Sequence, residues 1–352
     1  MINPSTFKNE AYKIREIFSE LELKLLEKMS RQLFKGSELP LNDWKIAKLT
    51  EISQFLGNGE ELIKQAKLIN NDLVDILESS FAKGIKESDN VIPKEPTTTQ
   101  LAFFQSNQPR LEALIREAQT TSIEALRGFY GSIGSLYQDS INRSVLGVTS
   151  GTQTLYESIK SSTQGLAEQG IGFVTYENGN KVNIASYMEM ATRTIANKTA
   201  QQATTARNKE YGYDLVLISQ YMGCSDTCQP HQGKIYFDDT LGDVNRTQYP
   251  SLSSAIADGL FHPNCKHHKM PYDPEVQDKP SVIKNNEELY NNEQQQRYIE
   301  RNIRQWKRRN AVAQGSDKVK TSLKVQEWQK KNRELVSSDE RLRRDYTREQ
   351  LI

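Results

Sequence analysis

The chain has 352 residues, with 46 Lys and Arg against 45 Asp and Glu, and only 36% of its residues are apolar. Adding the 19 glycines brings the apolar share to about 41%, below the roughly 45–50% usual for globular chains, and the mean hydropathy is −0.70. A net charge of +1 excludes a globally polybasic nucleic-acid binder and an acidic disordered protein, and no apolar run approaches the about 18 residues of a membrane span.

The predicted elements begin with helices. Ile14, Phe18, Leu21 and Leu25 recur at spacings of four, three and four, which places them on one helical face from about Asn9 to Phe34. Gly36 and Pro40 end that run, and Asn42 is the expected cap of a second helix carrying Trp44, Leu49, Ile52 and Phe55. A third follows the turn Asn58-Gly59, with Leu62, Ala66, Ile69, Leu73, Ile76 and Leu77. Lys86 to Thr99 has two prolines and no apolar period, so it reads as a linker. Helix resumes from Pro109 to about Asn142, and again from Thr152 to Gln169, where Gly170 stops it.

The period then changes. Asn178-Gly179 stands between β-rich flanks, the pattern of a hairpin over Phe173–Ile184. Ser186 to about Glu210 is a further helix, and Leu215–Ser219 a short buried strand. Residues 281–352 hold 17 Lys/Arg against 11 Asp/Glu, a net charge of about +6, and read as two helices broken near Gly315-Ser316. Within them Arg297 to Arg309 holds six basic residues against Glu300. Arg301, Arg304, Lys307 and Arg308 are the candidates for contact with nucleic acid or an acidic partner, set against a simpler role as a solvated helix face. The expected class is α+β and predominantly α-helical. N-terminal helices (1–85), a linker (86–108) and a second helical region (109–170) precede a small central α+β module with the hairpin (171–275), and a basic helical tail (276–352) follows.

All three cysteines and all four histidines lie between Cys224 and His268. Thiolate and imidazole are the ligands zinc prefers, and four of them close a tetrahedral structural site. Pro230, Gly233 and Pro263 favour sharp turns around two clusters, Cys224…His231 and His262…His268. The preferred ligands are Cys224, Cys228, Cys265 and His267, with His231 and His262 in reserve. Taken singly, each of the seven reads as a core thiol or a loop imidazole. Nearby Asp238, Asp239 and Asp243 read as solvated turn formers. The sequence holds no H-E-x-x-H, Walker loop, G-x-S-x-G, or G-x-G-x-x-G after a strand, so a structural zinc ion is preferred over the alternatives, a zinc-dependent nuclease or hydrolase and a zinc-containing nucleic-acid-binding module.

Several runs in this half resemble the phage minor capsid protein 2 family, relatives of the Mu-type head morphogenesis proteins of tailed phages. They are Ala185–Thr194, Glu210-Tyr-Gly-Tyr-Asp214-Leu-Val216, Gln232-Gly-Lys234-Ile-Tyr236, Tyr249-Pro-Ser-Leu252, Pro263-Asn-Cys265-Lys-His267 and Gln296–Lys307. The resemblance covers residues from about 170 onward, while the N-terminal helices match in general character. It makes Cys228, Cys265 and His267 the safest carried ligands. Where relatives place two residues between the first cysteines, this chain has three, which bears on Cys224. The resemblance implies a non-enzymatic, low-copy virion protein made in the host cytoplasm and placed in the head interior or at the portal. Its implied partners are the portal and the major capsid or scaffold proteins, with packaged double-stranded DNA as a further contact, and no membrane or small-molecule substrate.

Overall fold

A computed structural model describes residues 8–56, 60–92, 95, 98–241 and 248–351 of the protein. Among these residues nine α-helices and five short strands follow in order: α1 (Lys8–Phe34), α2 (Leu41–Leu56), α3 (Glu60–Val91), α4 (Gln100–Thr149), α5 (Leu155–Gln169), β1 (Phe173–Thr175), β2 (Lys181–Asn183), α6 (Ile184–Tyr211), β3 (Leu215–Ile218), β4 (Ile235–Phe237), α7 (Leu252–Ala257), β5 (Lys269–Pro271), α8 (Glu287–Val312) and α9 (Ser316–Ser338). The class is the expected one, α+β and mostly helical. No described helix is long and apolar enough to cross a membrane. The Asn58-Gly59 turn, the side chain of Phe55 and Asp243 lie outside the described residues. Two compact units divide the chain. One gathers Met1–Lys13, Asn70–Thr120 and Glu189–Glu293, the other Ile14–Ile69, Thr121–Met188 and Gln294–Ile352. The division falls inside α1, α3, α4, α6 and α8.

The first unit is built on an antiparallel sheet in the order β4-β3-β5. Side chains alternate across a strand, and β3 follows that rule. Val216 and Ile218 pack with Tyr236, Leu252, Ala255 and Leu260 on one face, while Leu215 packs with Ile235 and Tyr272 on the other. Gly84 of α3 lies against α6 so closely that a Cβ there would stand 2.1 Å from the Ala200 carbonyl oxygen. Thr204 donates its hydroxyl to the Gly84 carbonyl at 3.2 Å, and Ser88 donates to Asn208 at 2.9 Å. Arg207 is wholly buried, paired with Asp89 and Glu210 at 2.7 Å each, and its guanidinium lies 4.9 Å from the Phe103 ring centre. Asp238 departs from the sequence expectation. It is buried rather than solvated, bound to Lys269 at 2.6 Å and Thr205 at 2.9 Å. Burial alone raises a carboxyl pKa, but the Lys269 charge and these donors outweigh it and hold Asp238 below its ordinary value.

In the second unit Ile14, Phe18 and Leu21 of α1 are buried as the spacing predicts, but Leu25 is only half-buried. Further along α1 the buried apolar positions are Leu26, Met29 and Leu33. Asn42 lies inside α2 rather than capping it: the helix begins at Leu41, and the Trp44 amide donates to the Pro40 carbonyl at 3.0 Å. The Trp44 indole closes the corner by donating to the Leu33 carbonyl at 3.0 Å. A capping box between Thr154 and Glu157 starts α5, and Gly170 ends it at φ +87°. The hairpin forms as predicted, with a three-residue turn, Glu177–Gly179. Gly179 supplies φ +81°, and its amide donates to the Tyr176 carbonyl at 2.8 Å. The tail is broken at Gly315 as expected, where φ is +55°. After α9 the chain folds back so that Glu349 accepts from Asn332 at 2.7 Å and from Arg344 at 2.6 Å.

Candidate metal centre

Two loops of the first unit carry the cysteines and histidines. The first leaves β3 and returns to it, tied at its base where the Ile218 amide donates to Lys234 and the Gly233 amide to Ile218, both at 3.0 Å. Gly233, at φ +67°, makes the return turn. The second loop follows α7, with Phe261 and Asn264 in left-handed conformation at φ 62° and 70°. It is bound to the first where the Ser219 amide donates to the His268 carbonyl at 2.9 Å and the His268 amide to the Ser219 hydroxyl at 3.0 Å. From α6, Asn197 donates to the His267 carbonyl at 3.2 Å.

These ties bring three of the four expected ligands together. Cys228 Sγ lies 3.6 Å from Cys265 Sγ, and Cys265 Sγ lies 3.5 Å from His267 Nδ1. All three cysteines are free thiols, and 3.6 Å is far beyond the roughly 2.05 Å of a disulfide. Two thiolates at about 2.3 Å from one tetrahedral zinc ion stand about 3.8 Å apart, and a thiolate and an imidazole nitrogen about 3.6 Å apart. Both observed spacings fall close to those values, so the donor set and its geometry fit a zinc ion. His262 joins the group: one of its ring nitrogens and the sulfurs of Cys228 and Cys265 all lie within 4.8 Å of one another. Its Nε2 is 3.2 Å from the Ser225 hydroxyl.

Cys224 is buried nearby, but its sulfur is not part of that close group. Its carbonyl accepts from Asn285 at 3.2 Å. His231 is buried with its Nδ1 on the Tyr236 hydroxyl at 2.9 Å, directed into the sheet core. His268 is buried with neither ring nitrogen bonded to a described residue, and burial depresses it to about 4, which keeps it neutral. Ser225, which sequence reasoning passed over, touches the group, yet a serine between two cysteines carries no signal of its own.

The electrostatics favour a thiolate. The hydrogen bond from Cys265 draws Cys228 down to about 3, against the cost of burial and with help from His267 and Ser225. Cys265 is pushed up in turn, since its proton is shared with the Cys228 sulfur. Burial raises Cys224 to about 11, so it remains a thiol at neutral pH. No carboxylate belongs to the close group of Cys228, His262 and Cys265. The buried Asp238 is committed to Lys269.

The four tail candidates belong to α8 in the other unit. Arg308 donates to the Ala167 carbonyl at 3.2 Å and stands 3.9 Å from Glu22, and Arg304 donates to the Arg348 carbonyl. Arg301 and Lys307 make no hydrogen bond or ion pair to a described residue.

The profile of a family described as phage minor capsid protein 2 matches residues 2–337. A protein named "Structural protein" from Lactococcus phage LL-H is 24% identical over 331 residues, covering 87% of this chain and 88% of that one. Another "Structural protein", from Lactococcus phage mv4, is 34% identical over 104 residues, 26% of this chain and 81% of its own. No solved structure matches.

Proposed function

The chain belongs to the phage minor capsid protein 2 family, and from that premise we propose that this virion structural protein is a low-copy head component. In this reading it joins the portal and the surrounding capsid or scaffold proteins during assembly and stays in the head interior, where its tail touches packaged double-stranded DNA. The family match across 2–337 carries the reading. The decisive experiment is co-sedimentation with portal-containing procapsids, followed by detection in purified particles. Co-migration at low copy supports the assignment, and absence from both particles overturns it.

Within that role the Cys/His group holds a structural zinc ion through Cys228, Cys265, His267 and His262. Cys228, Cys265 and His262 lie within 4.8 Å of one another, His267 is added by its 3.5 Å approach to Cys265, and His262 takes the place first given to Cys224. A small three-stranded module gains stability from a closed metal shell, because the ion binds the folded loops and not the unfolded chain. Four protein ligands leave no open position for a reacting water, and this favours a non-enzymatic site.

A further inference from the structure

The first unit contains a cavity of about 640 Å³ that borders the candidate metal centre, with His262 and Cys265 in its lining. One wall is a stripe of α6: Arg193, Asn197, Gln201 and Thr205 at four-residue steps, joined by Lys198 and Lys209. Asn107 and Arg110 of α4 form a second wall, and Phe261, His262, Asn264 and Cys265 of the second loop a third. Lys269 of β5 also lines it. Five cations therefore line one cavity, and no carboxylate lines it among the described residues.

Three of those cations have anionic partners: Lys269 with Asp238, Arg193 with Glu189 at 3.4 Å, and Lys198 with Glu117 at 2.8 Å. Arg110 and Lys209 have no hydrogen bond or ion pair to a described residue, so their positive charge is uncompensated. Arg110 and Lys209 are exposed, and a cleft lined by one sign of charge raises the local concentration of anions. The amides of Gln201 and Gln202 add neutral donors and acceptors, while those of Asn107 and Asn197 donate to the Phe103 and His267 carbonyls. The remaining floor is apolar, made by Leu252, Ile256 and Phe261, which is partly buried against the core around Val216 and Ile218. Phe261 and Asn264 are also the two non-glycine residues, among those described, with left-handed backbone. For a bulky residue such as Phe261 that conformation is costly, and such strain gathers at binding sites.

We propose that this cavity binds a phosphate-bearing ligand of nucleotide size, with Arg110 and Lys209 holding the phosphate and Phe261 offering a face to the base. The volume falls within the roughly 300–1,000 Å³ of small-ligand sites. Amides beside an aromatic face suit a base better than they suit a bare anion or an acidic peptide. The inference uses none of the tail cations and does not rest on the virion reading. It adds a small-molecule class that the sequence did not lead one to expect.

A free nucleotide and the phosphorylated end of a strand share this chemistry, and binding to the full chain separates them. Isothermal titration would use AMP, adenosine, inorganic phosphate, a 5′-phosphorylated oligothymidylate and polyglutamate. One AMP or one oligonucleotide end should bind per chain, and adenosine should bind at least about tenfold more weakly, the loss expected when a charge-assisted contact is removed. Arg110→Ala with Lys209→Ala should weaken binding by more than about tenfold on the same ground. Both side chains are exposed, so the fold should persist. Gln201→Glu, which adds a carboxylate to the cavity, should act in the same direction. The exposed pair Lys279→Ala with Lys284→Ala, outside the cavity, should change nothing. Tighter binding of the oligonucleotide identifies a strand end as the ligand, and equal binding a free nucleotide. Absence of saturable binding by both overturns the proposal, as does an equal loss in the lysine control. Saturation by polyglutamate alone overturns it in favour of an acidic protein partner.

Discussion

At the scale of single residues, two polar sites carry the sharpest expectations. In the proposed zinc site His262 replaces Cys224, because its ring nitrogen lies within 4.8 Å of the Cys228 and Cys265 sulfurs. Protein purified without chelators should hold one zinc ion per chain, and Cys224→Ser should retain it. Cys265→Ser and His262→Ala should lose it, as read by metal analysis on protein whose fold is checked by circular dichroism. Arg207 is the second case. Its guanidinium is wholly buried between Asp89 and Glu210, so Arg207→Ala leaves two carboxylates facing a void. Breaking a buried pair in this way costs about 3–5 kcal/mol, measurable by denaturant unfolding. Part of this was legible in the sequence, where Cys228 and Cys265 are preferred ligands and His262 a reserve, but the Arg207 pair was not. Spacing narrows the metal ligands to two clusters, but it does not say that His231 turns toward Tyr236 while His262 turns toward the thiols. That choice is made by the sheet pairing, which sequence separation does not encode.

At the scale of elements, helix contacts determine what can be changed. Gly84 has no room for a side chain against α6, so Gly84→Val should destabilise by about 1–3 kcal/mol or more, as a lowered unfolding midpoint. On α8 the four tail cations separate into two kinds. Arg301→Glu should weaken DNA binding at low salt with little effect on stability, since that side chain is exposed and bonded to no described residue, whereas Lys307 is half-buried and feels the charge of Glu349. Arg308→Ala should instead lower stability, because it removes the donor to Ala167. Filter binding and thermal melts, run side by side, distinguish the two effects. The segment after α9 is sensitive to acid. Burial raises the Glu349 carboxyl, but bonds from Arg344, Asn332 and Gln329 outweigh it and hold its pKa below the ordinary value. Its stabilisation is therefore complete above the unfolded value of about 4.3 and is lost as pH falls through the lower folded one. Glu349→Gln should flatten the acid limb of the stability profile. Helix existence was largely legible, since apolar spacing locates α1, α5 and α6 almost to their ends. Pro109 was not, because proline suits a first helical turn, whereas α4 carries it in its interior and begins at Gln100. The polar stripe of α6 could be read from Arg193 to Lys209, but only the loop at Phe261–Cys265 makes it a cavity wall.

At the scale of the whole molecule, the near-neutral charge is a cancellation between a basic tail and an acidic remainder, with the isoelectric point near 7.6. Such a chain repels its own copies weakly at neutral pH, so self-association should be greatest near that pH and fall on either side, as light scattering would show. The low apolar content also has a reading at this scale, since side chains such as Leu101 and Leu146 remain at the surface instead of enlarging a core. The division into units has a consequence in time. Each draws on three separated stretches of chain, and five helices contribute to both. A ribosome therefore releases no finished unit early: the first waits for Glu293, and the second for residues beyond Gln294. The N-terminal helices emerge long before their partners, with Phe18, Leu26 and Leu33 uncovered. The nascent chain thus passes through a long interval in which it depends on chaperones or on pauses in translation, and a pulse-chase with limited proteolysis should find protease resistance arriving late and almost all at once.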